Sequence, residues 1–205
     1  MQFQLIKIST VFMLNPSLPI LLGKLAKNGY VTSLVREMDD SANIAFIEPP
    51  DVIAGKGATR ISYNFGRRTL SVEGAMPKEV LSTFKEVEVF LKEMGIKIEK
   101  ALIPCELTAV ASVELIPKFA GKTYDFTESL GYKLQLAEGG FVLSEGDPAS
   151  NKWLSFKLNR VWSSDIKTKK GYPYRLKLLL REKKTKVFQL LDNLENVFET
   201  ILKEV

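Results

Sequence analysis

The chain has 205 residues, with 29 Lys and Arg against 24 Asp and Glu, no histidine, one cysteine and a net charge of +5. Without an imidazole, Ser-His-Asp and Cys-His catalysis and His-ligated zinc are excluded. A single cysteine excludes an internal disulfide, a Cys-rich zinc site and an iron–sulfur cluster. Hydrophobic residues make up 45% of the chain, enough for a sizeable core in one large domain or two small ones. The most apolar stretch, 11–22, is interrupted by Asn15, Pro16 and Pro19, whereas a spanning helix needs roughly 20 apolar residues. The order of charge, apolar run and cleavage site that marks a signal peptide is missing. With so little cysteine, the expected location is the reducing cytoplasm; abundant Lys and Glu with scarce Gln point to a thermophile.

In chain order, residues 3–14 read as a strand whose alternation slips once, as at a β-bulge. Pro16 opens a helix that closes at Asn28-Gly29-Tyr30, where Gly supplies the left-handed stop. Stretches 31–36 and 44–47 read as two more strands. Ile61, Tyr63 and Phe65 then alternate with Arg60, Ser62 and Asn64, and Gly66-Arg67 turns the chain into Leu70 and Val72, which makes a hairpin. From Pro77 to Gly95 runs an amphipathic helix with Val80, Leu81, Phe84, Val87, Phe90, Leu91 and Met94 on its apolar side.

The second half repeats this plan. A strand at 101–113 leads to a helix-like stretch opened by Pro117 and closed at Leu130-Gly131-Tyr132. Strands follow at 134–137, 141–143, 152–162 and 172–181. A last amphipathic helix from 184 carries Val187, Phe188, Leu191, Leu194, Val197, Phe198 and Ile201. Each of these seven stands 107 positions after its counterpart in the first long helix, the signature of an internal repeat. The reading is an α+β protein of two similar β-α-β-β-β-β-α halves, 1–95 and 96–205. They are joined without a Pro- or Ser-rich linker and are expected to form one compact body. Alternation with one polar face implies an antiparallel sheet with long helices packed on one face and the other face open.

This duplicated order, together with the Gly-turn hairpin and following long helix begun by Tyr63-Asn64-Phe65-Gly66-Arg67-Arg68-Thr69-Leu70-Ser71-Val72-Glu73-Gly74-Ala75, resembles the fold of the TATA-box-binding protein and its relatives. The resemblance covers nearly the whole chain at the level of element order. No counterpart of that family's paired DNA-wedging phenylalanines is assignable, so no functional residue is carried over. Relatives of that fold bind DNA, RNA, proteins and small ligands, and the fold alone does not choose among them.

Charge does more to choose. Residues 151–186 hold twelve Lys and Arg against Asp165 and Glu182, a net +10, so the rest of the chain sums to −5. If Leu154, Phe156, Leu158 and the run Tyr172, Tyr174, Leu176, Leu178 and Leu180 face the helices, the opposite face carries Trp153, Lys157, Asn159, Arg175, Lys177 and Arg181. The loop beside it adds Lys167, Lys169 and Lys170. Cations for phosphates and a flat ring for a base are what a nucleic-acid strand requires. The competing reading is a solvated face whose lysines guard against edge aggregation.

Other constellations carry less. Gly55-Lys56-Gly57-Ala58-Thr59-Arg60 has the residue types of a phosphate loop without its spacing, and reads as a hairpin connection. Glu37, Asp39 and Asp40 sit where a turn belongs rather than a Mg²⁺ site. Cys105 reads as buried and inert, and Glu106 and Glu114 are an acid–base pair only if the sheet brings them together. The expected function is therefore a non-catalytic binding module for nucleic acid or another polyanion, with no cofactor, no metal and no membrane. The alternatives are a protein-interaction or homodimeric scaffold, and a small-ligand binder or enzyme with a pocket between the halves.

Overall fold

The computed structural model describes residues 1–32, 35–38, 41–44, 51–115, 123–126, 132–135, 140–161 and 172–204. It combines helices with antiparallel sheet, as the α+β reading requires. Among the described residues no helix is long and apolar enough to cross a membrane. Contacts divide the chain into two compact units, Lys7–Cys105 and Met1–Ile6 with Glu106–Val205.

The first unit takes in β1 (Gln2–Val11) from Lys7 onward, followed by α1 (Leu18–Lys27), β2 (Val31–Thr32), β3 (Val35–Met38) and β4 (Ser41–Ile44). Then come β5 (Val52–Lys56), β6 (Thr59–Asn64), β7 (Thr69–Gly74) and α2 (Pro77–Glu93). Its sheet runs β1-β7-β6-β5-β2, with β3 and β4 as a separate hairpin. Ile61 lies opposite Val72 and Tyr63 opposite Leu70, all buried, while Ser62 opposes Ser71 and Asn64 opposes Thr69 on the other face. This is the period of two that the sequence alternation encodes. Helix α2 lies against β6, β7 and α1, and buries Val80, Leu81, Phe84, Val87, Phe90 and Leu91. Each such side chain contributes roughly 1.5–3 kcal/mol before entropy.

Both helices end in the same way. After α1, the Gly29 amide donates to the Ala26 carbonyl and the Tyr30 amide to that of Leu25, each at 3.1 Å. After α2, Gly95 donates to Lys92 at 3.0 Å and Ile96 to Leu91 at 2.9 Å. These are Schellman closures, and Gly29 and Gly95 both take φ 79°, a backbone region that any Cβ penalises.

The second unit takes in β8 (Ile103–Leu115) from Glu106 onward, then β9 (Thr123–Phe126), β10 (Tyr132–Gln135), β11 (Gly140–Glu145), β12 (Trp153–Arg160) and β13 (Tyr172–Glu182). It ends with α3 (Lys184–Asp192) and α4 (Leu194–Glu204). Its sheet runs β11-β12-β13-β8, while β9 and β10 form a separate antiparallel pair. Two expectations change here. Within the stretch read as a helix from Pro117 to Leu130, Thr123–Phe126 is a strand; its aromatics and Thr favour extended backbone. The flanking residues lie outside the described ones. The final helix is broken at Asn193, whose amide closes α3 on Leu190 at 3.1 Å and whose carbonyl accepts from Val197 at 3.0 Å to begin α4. The apolar stripe continues across the break, with Val187, Leu191, Leu194, Phe198 and Ile201 all buried.

Candidate nucleic-acid interface

Strands β12 and β13 carry the basic residues, and their register decides which share a face. Trp153 lies opposite Arg181, Lys157 opposite Lys177 and Asn159 opposite Arg175. The alternate set, Leu154 with Leu180, Phe156 with Leu178 and Leu158 with Leu176, is buried. Five of the eight residues singled out from sequence thus project to one side of this ribbon, away from its apolar face. Lys167, Lys169 and Lys170 lie outside the described residues.

The five do not share one environment. Lys157, Arg175 and Lys177 are exposed, and among the described residues none of them meets a carboxylate within ion-pair distance. Arg181 and Trp153 are half-buried and engaged. The Arg181 Nε donates to Glu106 Oε2 at 2.6 Å, and another of its guanidinium nitrogens donates to the Pro148 carbonyl at 2.6 Å. Its guanidinium carbon lies over the Trp153 ring, 5.6 Å from the centroid, within cation–π range. The Trp153 indole N–H is buried without a hydrogen-bond partner among the described residues. Ser155, between Trp153 and Lys157 on the same face, is only 2% exposed. The face is therefore open at its Lys157–Arg175–Lys177 end and closed at its Trp153–Arg181 end.

Glu106 is what separates the two ends. It stands 75 positions from Arg181, so nothing local in the sequence announces the pair; only the strand order β13-β8 brings them together. Glu106 and Glu114 are eight positions apart on one strand, roughly 26 Å at the usual rise, so they do not converge as an acid–base pair. Cys105 is fully buried.

The polar face of the first unit's sheet is different. Lys7 approaches Glu73 at 3.8 Å, and Ser9 and Ser71 share a hydrogen bond of 3.0 Å. Arg60 also lies opposite Glu73 in the β6–β7 register. Cations here stand beside a carboxylate instead of alone. The Gly55–Arg60 stretch forms the end of β5, a tight turn with Gly57 at φ 59°, and the start of β6. A shallow depression of about 480 Å³ there is lined by Val31, Val52, Gly55 and Arg60 among others. Lys56 does not point a free charge into a phosphate cradle. Its ammonium sits 3.6 Å from Glu86, 3.3 Å from the Asn28 carbonyl and 4.8 Å from the Tyr30 ring centre. Tyr30 donates to Glu86 at 2.6 Å, and burial first, then this carboxylate, pushes its phenol well above the usual tyrosine value. Among the described residues no group of three or more Cys, Asp or Glu is placed to hold a metal ion. Comparison with protein-family models, with curated proteins and with solved structures yields no match.

Proposed function

We propose that the chain is a non-catalytic, cytoplasmic binding module whose basic β12–β13 face holds the backbone of a nucleic acid or a similar polyanion. The observation that carries this reading is the exposed Lys157–Lys177 pair, directly opposite across the two strands and without a carboxylate partner among the described residues. Like charges directly opposite destabilise a sheet. An anion laid across them turns that repulsion into attraction, and Arg175, one pair further along the same face, extends the row. The concentration of +10 within residues 151–186, against −5 elsewhere, supports the same reading.

The module is read as a duplication with its helices covering one sheet face, keeping the likeness in element order to the TATA-box-binding-protein fold. Two features support this. Each unit sets its first strand beside its last and then runs back through the others, β1-β7-β6-β5 in one and β8-β13-β12-β11 in the other. Buried positions of α2 also recur 107 residues later, with Val80, Phe84, Val87 and Leu91 matched by Val187, Leu191, Leu194 and Phe198.

The test is anisotropy of a fluorescent 20-nucleotide oligomer at low salt. Binding is expected, and Arg175→Glu with Lys177→Glu should abolish it while the melting temperature stays within about 2 °C, because exposed positions contribute little to stability. No binding at high micromolar protein would reject the reading. A homodimeric scaffold is favoured by one observation: Met13, Leu14 and Phe65 are 63%, 82% and 43% exposed. They flank one turn, in which the Arg68 guanidinium holds the Met13 carbonyl and the Arg68 amide that of Phe65. That reading requires a molecular mass that rises with concentration in sedimentation.

A further inference from the structure

Resting on the nucleic-acid reading, we propose that the β12–β13 face is blind to bases: it takes a row of phosphodiesters through Lys157, Arg175 and Lys177, and Trp153 is a buttress for the sheet instead of a stacking platform. The aromatic that a single-stranded site would use is already occupied. Arg181 lies over the Trp153 ring, and Glu106 and the Pro148 carbonyl each hold that guanidinium at 2.6 Å. A base would have to displace a cation that is both hydrogen-bonded to a carboxylate and held over the indole, and the indole Nε1 is itself buried. Among the described side chains of β12 and β13, no other aromatic stands on that face, since Phe156 and Tyr174 are buried on the opposite one.

The same contacts withdraw Arg181 from the ligand. Its charge is matched by Glu106, a strong charge-assisted contact, so it releases no counterion when phosphate arrives. Glu106 thereby sets the size of the binding row, leaving three cations without a carboxylate among the described residues where the sequence suggests four on these two strands. Each neutralised phosphate contributes a slope of roughly −0.7 to −0.9 in log K against log salt. Lys157, Arg175 and Lys177 together account for roughly a 20- to 40-fold loss of affinity between 50 and 200 mM salt.

The experiment compares a dT 20-mer with an abasic oligodeoxyribonucleotide of the same length on the full chain, each titrated at 50 and 200 mM salt. The expected result is affinities within about threefold of each other. In the same assay Arg181→Gln should leave the salt slope unchanged, whereas Arg175→Gln should lower it by about 0.7–0.9. Folded Trp153→Leu should bind dT within about twofold of the parent. An abasic oligomer bound tenfold or more weakly than dT overturns base blindness, because lost stacking costs that much per base; this comparison needs no variant. A salt slope lowered by Arg181→Gln overturns the role given to Glu106. If neither oligomer binds, the nucleic-acid reading itself fails, which is distinct from both of those results.

Discussion

Tyr30 and Tyr63 are held as neutral phenols by the fold. Both are buried; Tyr30 donates to Glu86 and Tyr63 to Asn15, each at 2.6 Å. Burial raises both above the usual value, Glu86 adding to the effect at Tyr30 and Arg68 opposing it at Tyr63. A proton held more tightly by the folded state stabilises it fully below the unfolded tyrosine value of about 10, and that contribution is lost as pH rises toward the folded value. Urea-derived stability should therefore fall between pH 9 and 11, and Tyr30→Phe should flatten the fall while costing about 0.5–1.5 kcal/mol at neutral pH. An unchanged slope in the variant would show that Tyr30 does not govern it. Cys105, with no exposed surface, should resist thiol reagents until denaturant opens the strand. Rapid labelling of native protein would contradict its burial. The buried alternation of Leu154, Phe156 and Leu158 was legible from sequence. The capture of Arg181 by Glu106 was not, because hydrogen bonding across 75 positions leaves no periodic trace.

Elements with strong periodicity and explicit stops were the readable ones. α2 has Pro77 at its start, Gly95 after its end and six buried apolar side chains between; its bounds follow from those residues. Phe84 and Leu191, each 1% exposed, should cost about 2–5 kcal/mol when changed to Ala, measured by urea unfolding. A loss under 1 kcal/mol at either would mean that its face is not packed. β5 leaves no readable alternation because Gly55 lies within its five residues and Gly57 directly follows them, and Thr123–Phe126 leaves none because four residues are too few to distinguish a strand from a helix turn. The turn between β11 and β12 depends on Gly146, at φ 85°, where an added Cβ would stand 2.6 Å from the Lys152 carbonyl oxygen. Gly146→Ala should destabilise by more than about 1 kcal/mol. An unaltered melting midpoint would show that the turn can rearrange around the methyl group.

At the scale of the molecule, the chain keeps its positive charge apart from the rest. The modest net charge of +5 hides a +10 segment and a −5 remainder, so the basic excess is local to residues 151–186, and under the proposed function a partner that responds to local potential is drawn there. Raising salt from 50 to 200 mM should therefore weaken oligonucleotide binding at least 20-fold while leaving the urea midpoint almost unmoved. Salt-independent binding would require contacts other than phosphates.

Side-chain periods, helix stops and local charge density are properties of neighbours along the chain. The sequence by itself therefore determined the α+β class, the apolar stripes of α2 and the final helices, and the basic character of residues 151–186. Which of those cations remain available was decided only by tertiary structure. Strand order set β8 beside β13, and that adjacency put Glu106 against Arg181 and Arg181 over Trp153. Lys157, Arg175 and Lys177 were left without such a partner among the described residues. The physical reason is range: a period of 2 or 3.6 residues is written locally, whereas the neutralisation of a charge depends on whatever carboxylate the fold delivers to within about 4 Å of it.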